Sequence, residues 1–196
     1  MADKTLNVLF VGNSYTYYNQ MPEGAFTEVA EAAGYKVMVT SVTRGGFRLS
    51  QFADPDNEEG KRLRQITSGV HYDYAVLQEQ SINPIVNEAE FFKGVSDIMN
   101  LICADTFVLY ATWGRNDGSQ TLSELGLTRE EMTNKLSVAY HTAGKMFGAR
   151  VAEVGKAFWE YSKSHNKDEL YSPDQTHPSA LGSAIAARVI FEKIIE

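Results

Sequence analysis

Three residue types that together make an activated nucleophile occur at opposite ends of this 196-residue chain: Ser14 near the start, Asp174 and His177 near the finish. A serine hydroxyl at its free pKa attacks a carbonyl poorly, so it needs a base. Of the four histidines, His141 falls on the solvent side of a helical stripe, His71 precedes a strand at its amino end, and His165 sits in the polar run Ser162–Asp168. His177 remains. It stands in Ser172-Pro173-Asp174-Gln175-Thr176-His177-Pro178, where the following proline disfavours αR and holds the imidazole at the entrance of a last helix. Asp174, three residues earlier, can curl back to Nδ1–H and leave Nε2 free as base. The blander reading, an Asp capping its own turn, competes for the same spacing.

Ser14 follows an apolar strand directly, in Val11-Gly12-Asn13-Ser14-Tyr15-Thr16. Gly12 permits a tight turn, and the Ser14 N–H can donate to an oxyanion as the adjacent carbonyl is attacked. Ser14 as a plain helix cap is the alternative. Arg44-Gly45-Gly46-Phe47 closes another strand, where a glycine pair is more often conformational than catalytic.

These segments together resemble the SGNH hydrolase superfamily, the GDSL-type esterases and lipases, in order and position across nearly the whole chain. Gly12-Asn13-Ser14 corresponds to the family's first block, Gly45-Gly46 to the second, and Asp174-Gln175-Thr176-His177 to the last. The resemblance implies a flavodoxin-like fold and ester hydrolysis through a serine acyl-enzyme, with no metal and no cofactor. It implies Ser14 as nucleophile, His177 as base, Asp174 as its orienter, and Gly45 or Gly46, with Gly46 favoured, as a second oxyanion donor beside Ser14. The third block departs from the family: Gly-x-Asn-Asp after the third strand is replaced by Leu77-Gln78-Glu79-Gln80-Ser81. A primary amide can stand in for the missing Asn, so Gln78 is the expected donor, with Gln80 as alternative. Asn116, in Gly114-Arg115-Asn116-Asp117 after the fourth strand, competes with both.

Such residues need a scaffold, and the apolar pattern supplies one. Leu6–Val11, Val37–Val42, Tyr74–Leu77, Phe107–Ala111 and Arg150–Val154 read as strands buried on both faces, alternating with stretches of helical period. Pro22–Ala33 reads as a helix with Phe26, Val29, Ala30 and Ala33 inward. Asn87 with Glu90 and Thr128 with Glu131 read as N-terminal boxes, the second leading a stripe from Met132 to Met146. Pro178 can open a final helix with Leu181, Ile185 and Val189 inward. The expectation is a three-layer α/β/α sandwich around a five-stranded parallel sheet, in one domain over residues 1–196. Trp113–Leu127 is the longest stretch without a period and reads as a flap.

Composition narrows the function classes. A net charge of −7 without a basic block argues against nucleic acid and anionic membranes as partners. The lone Cys103 makes no internal disulfide and reads as a small buried residue. The polar start Met1-Ala2-Asp3-Lys4 points to a cytoplasmic chain, or a secreted or periplasmic one if an export signal once preceded it. Tyr15, Phe47 and Trp113 are the expected aromatic rim of a substrate cleft, and Arg44, Arg48 and Arg115 the handles for hydroxyl or carboxylate groups. The expected partner is a small-molecule or carbohydrate ester bearing a small acyl or acetyl group; the oligomeric state is left open. The rival readings are a flavodoxin-like phosphate or nucleotide binder using the first loop, and a catalytically inactive glycan-binding relative.

Overall fold

The computed structural model describes residues 5–196; the polar start Met1–Lys4, on which the cytoplasmic expectation rests, lies outside them. Strands β1 (Thr5–Gly12), β2 (Lys36–Thr43), β3 (His71–Leu77), β4 (Cys103–Ala111) and β5 (Arg150–Glu153) form one parallel sheet in the order β2-β1-β3-β4-β5. The fold is therefore the expected three-layer α/β/α sandwich. Each apolar run became a strand because it is covered on both sides. Leu6, Val8 and Phe10 face one core with Phe26, Phe158 and Ile190; Leu9 and Val11 face the other with Phe52, Phe91 and Leu136.

Helices α2 (Thr27–Ala32), α9 (Val154–Ser162) and α10 (Ala180–Ile195) contribute to the first core. Helices α3 (Leu49–Ala53), α4 (Glu58–Thr67), α6 (Glu88–Leu101) and α8 (Arg129–Phe147) contribute to the second. Between them lie short turns of helix: α1 (Ser14–Tyr17), α5 (Asn83–Val86) and α7 (Gln120–Leu125). The two predicted boxes start helices as the spacing demands. Asn87 accepts from the Glu90 N–H at α6, and Thr128 with Glu131 caps α8 reciprocally, which Gly148 ends at φ +69°.

Several local expectations are corrected. Pro22–Ala33 is not one helix: Pro22–Phe26 forms a wide π turn before α2, and Ala33 is exposed. The fifth strand stops at Glu153, because Gly155 packs so close to the Thr112 carbonyl that a Cβ there would collide, and Val154 already begins α9. Ser179, not Pro178, caps α10, its Oγ accepting from the Gly182 N–H; Leu181 then points outward while Ile185 is buried. Met146 ends its stripe in solvent, and Cys103 is exposed because it is the first residue of β4, at the uncovered amino edge of the sheet. The Trp113–Leu127 connection is partly ordered by α7, with Leu122 buried. Among the described residues, no helix is long and apolar enough to cross a membrane.

Consecutive strands first step from β1 to β2 on one side and then return to β3 on the other. Crevices open beyond the carboxyl ends of strands where the order reverses in this way. Register places Val11 opposite Leu77, so the chain leaves β1 at Gly12 beside the exit of β3 at Gln78.

Candidate active site

The turn after β1 is built from the residues around Ser14. Asn13 caps α1, its side-chain oxygen accepting from the Tyr15 N–H at 3.2 Å, so Ser14 is the first helical residue and not the cap. Gln78 lies beneath this turn, 1% exposed, its Oε1 accepting from the Asn13 N–H and the Thr16 hydroxyl, each at 2.9 Å. Its Nε2 is spent on the Glu79 carbonyl. Gly12 is required here: a Cβ would lie 2.8 Å from Gln78 Oε1 and closer still to Thr16 Oγ1. The structure thus gives Gln78 a supporting position under the turn.

From the far end of the chain, His177 brings Nε2 to 2.8 Å from Ser14 Oγ, while its Nδ1 meets Asp174 Oδ2 at 2.5 Å. Asp174 Oδ1 accepts from the Thr176 and His177 backbone N–H groups at 3.0 and 2.9 Å. Burial tends to raise the Asp174 carboxyl, but the hydrogen bonds from the imidazole and from these two N–H groups outweigh it and hold it below the usual carboxylate value. The acid is therefore an anion facing the imidazole. His71 and His165 are surface residues as expected, and His141 is exposed and paired with Glu153.

Three groups hold this segment in roles that the sequence did not indicate. The Tyr18 ring stacks on the imidazole at 4.2 Å and 10°, one helical turn beyond Ser14. Asn19 Nδ2 donates to the Pro178 carbonyl at 3.1 Å. Trp113 Nε1 donates to the Thr176 carbonyl at 3.1 Å. The last contact relocates Trp113: expected on a cleft rim, it is fully buried, stacked between Tyr15 at 4.6 Å and Phe158 at 4.4 Å. Asn116 is also buried, its Nδ2 donating to Asp168 and Gln175 and its N–H to the Gln175 carbonyl. It braces the Asp174–His177 loop from behind. Only its spelling within Gly114–Asp117 was legible in sequence; its direction was not.

A cavity of about 220 Å³ opens beside Ser14, walled by Tyr15, Gly46, Gln80, Arg115 and His177 among others. A larger hollow around Thr67 and His71 lies at the amino ends of the strands and contains none of these groups. Gly46 is the third residue of a turn closed by Phe47 N–H on the Arg44 carbonyl at 3.2 Å, and its φ of +74° is one that glycine adopts without strain. Asn13 Nδ2 ties that turn to the Ser14 loop through the Phe47 carbonyl. Phe47 itself is half-buried against Phe52. Neither the Ser14 nor the Gly46 backbone N–H makes a hydrogen bond among the described residues. Gln80 presents its amide similarly: Oε1 accepts from the Ile82 and Asn83 N–H groups at 3.0 and 3.1 Å, and Nε2 has no partner among the described residues.

Glu79 ties the two loops together from below. It is fully buried, one oxygen accepting from Gln80 N–H at 2.6 Å and the other from Leu49 N–H at 3.3 Å. Burial pushes its carboxyl up to about 7 against the pull of those two N–H groups. Among the described residues no cluster of His, Cys, Asp and Glu with metal-ligating geometry occurs.

No protein-family model and no curated protein matches this sequence. Solved structures do. A Slackia heliotrinireducens protein provisionally assigned as an SGNH hydrolase is 29% identical, with a TM-score of 0.82 over 97% of this chain and 100% of its own. A DUF4886 family protein from Bacteroides uniformis, 18% identical, has a TM-score of 0.81 over 97% of this chain and 83% of its own. A carbohydrate acetylesterase from Sinorhizobium meliloti shares the fold at 15% identity and a TM-score of 0.61, over 97% of this chain and 98% of its own. With its five-stranded parallel sandwich matched over nearly its full length by such proteins, this chain belongs to the SGNH hydrolase superfamily, the GDSL-type esterases and lipases.

Proposed function

We propose that this chain is a carboxylic ester hydrolase, working as one domain through Ser14, His177 and Asp174. The observation that carries the reading is the unbroken line of hydrogen bonds from Ser14 Oγ to His177 Nε2 and from Nδ1 to Asp174. An imidazole anchored by a carboxylate at Nδ1 accepts the serine proton at Nε2 as Oγ bonds to the ester carbonyl carbon. The carbonyl oxygen, now an anion, is received by the Ser14 and Gly46 N–H groups and Gln80 Nε2. Donors already aimed there need no reorganisation in the transition state. Collapse breaks the bond to the alcohol, which leaves with the proton His177 returns. Water then adds to the acyl-serine by the same route and releases the acid. Tyr18, stacked on the imidazole, and Asn19, on the next peptide, keep the ring from turning away.

The alternatives weighed for the third donor part company here. Gln78 and Asn116 both have their amide N–H groups committed inside the protein, so Gln80 is the proposed donor. Tyr15 and Gly46 bound a cavity whose size suits a small acyl ester. The Sinorhizobium meliloti neighbour is named for acetyl groups on carbohydrate, which makes such an ester the first candidate partner.

The test is covalent. Incubation with a neutral fluorophosphonate followed by peptide mapping is expected to place the adduct on Ser14. Ser14→Ala is expected to abolish it and lower turnover of p-nitrophenyl acetate by about 10⁴- to 10⁶-fold. An adduct elsewhere, or near-full turnover in the variant, overturns the reading.

A further inference from the structure

The cavity beside Ser14 contains a cation that ester hydrolysis does not use. Arg115, in the loop after β4, donates from Nη1 to Thr121 Oγ1 at 2.5 Å and from Nη2 to Ser81 Oγ at 3.1 Å. Its Nε is buried without a hydrogen-bond partner, and among the described residues it forms no ion pair. The two other arginines expected as handles differ: Arg44 pairs with Glu59 and Arg48 with Glu90. Buried charge is ordinarily paired, because removing it from water is costly.

Two further polar atoms on the same wall lack partners: the Tyr15 hydroxyl, on a residue 3% exposed, and Thr176 Oγ1. They face Arg115. Burial raises the Tyr15 phenol, while the Arg115 charge and the Thr176 and Ser81 hydroxyls pull it the other way. With no counter-charge among the described residues, the Arg115 guanidinium and the Tyr15 and Thr176 hydroxyls gather donors on one wall, and a ligand oxygen would satisfy them. The neighbouring acid, Asp174, does not supply it, both its oxygens being taken by His177 and the Thr176 N–H.

We propose that Arg115, with the Tyr15 and Thr176 hydroxyls, forms a carboxylate subsite, so that the esters this protein prefers carry a carboxylate close to the scissile carbonyl. The inference rests on the hydrolase reading and narrows its substrate class. Guanidinium presents its N–H groups in a planar fork that matches a carboxylate, and Arg115 lines the cavity. The carboxylate belongs either to the acyl group, as in a half-ester of a dicarboxylic acid, or to the alcohol, as in an acylated hydroxy acid. Both meet the same chemistry.

Paired substrates separate the two sources. Mono-p-nitrophenyl glutarate is compared with p-nitrophenyl butyrate, and 3-acetoxybenzoate with its methyl ester. One carboxylated member is expected to exceed its neutral partner in kcat/KM by about 10- to 100-fold, chiefly through KM, the worth of a charge-assisted pair. Arg115→Gln, which keeps N–H donors for Ser81 or Thr121, is expected to erase that preference and leave the neutral esters within a few fold. If the Gln variant fails to fold, Arg115→Lys is expected to reduce the preference, because lysine keeps charge without the fork. Equal loss on charged and neutral esters, or no preference in the wild type, overturns the proposal. Calorimetric titration with glutarate reads the subsite without turnover, binding being expected in wild type and absent in Arg115→Gln. Failure of Ser14 to label defeats the hydrolase reading and leaves this titration to judge the subsite; equal binding by both proteins defeats the subsite.

Discussion

Ser14 Oγ and His177 Nε2 lie 2.8 Å apart although 163 residues separate them in the chain. The contact exists because β1 is an interior strand of the sheet and α10 folds back over one of its faces, delivering its entrance to the carboxyl end of β1. Asn19 completes the closure, donating to both the Pro178 carbonyl and the Ser183 hydroxyl.

Asp174→Asn keeps the size of the side chain and removes its charge. The amide no longer enforces Nδ1–H, so turnover is expected to fall by roughly 10³- to 10⁴-fold. The pH sign follows from the depressed carboxyl: its stabilisation is present above the ordinary value of 3.8 and is lost as pH falls through the lower folded value. Acid unfolding of wild type and variant should therefore converge at the acid end. Ester turnover and acid melts check both, and unchanged turnover in the variant refutes the role given to Asp174.

Gln80→Glu separates the two ends of one side chain. A carboxylate can still accept from the Ile82 and Asn83 N–H groups, so the melting temperature should hold. The donor to the oxyanion is gone, and kcat is expected to fall by about 10²- to 10³-fold with little change in KM. A KM effect alone would mean that Gln80 binds substrate without stabilising the transition state.

Glu79 predicts an opposite pH dependence. Its folded-state value of about 7 exceeds the ordinary 4.5, so the native chain holds this proton more tightly than the unfolded chain between those values. Stability is thus expected to decline as pH rises through that window, by at most about 1.4 kcal/mol per pH unit, and to level off above it. In Glu79→Gln this component should vanish, flattening the melting-temperature profile from pH 5 to 8. Parallel profiles for the two proteins would contradict it.

The parts of the fold that were legible were those in which a single segment carries its own signal. The strand runs up to Val11 and Ala111 are apolar because both faces are covered, and the boxes at Asn87 and Thr128 are set by local spacing. Helix α4 has little apolar signal because half of Glu58–Thr67 is charged and it buries little beyond Gly60, Leu63 and Thr67. Helix α9 was hidden because Val154 extends the apolar run of β5, and its start is decided by Gly155 meeting Thr112 across the fold.

The same division runs through the site. Ser14, Asp174 and His177 stand out as candidates because turn chemistry and side-chain reactivity leave a mark on neighbouring residues, whereas Gly46 is a candidate only through the family resemblance. The turning of Gln78 and Asn116 into the protein, the burial of Trp113 in the core and the contact of Arg115 with Ser81 depended on partners more than thirty residues away. Chain order carries backbone conformation and apolar period, which are local. The direction of a long polar side chain is chosen by whichever distant donors and acceptors folding brings within reach, and that choice belongs to the tertiary structure.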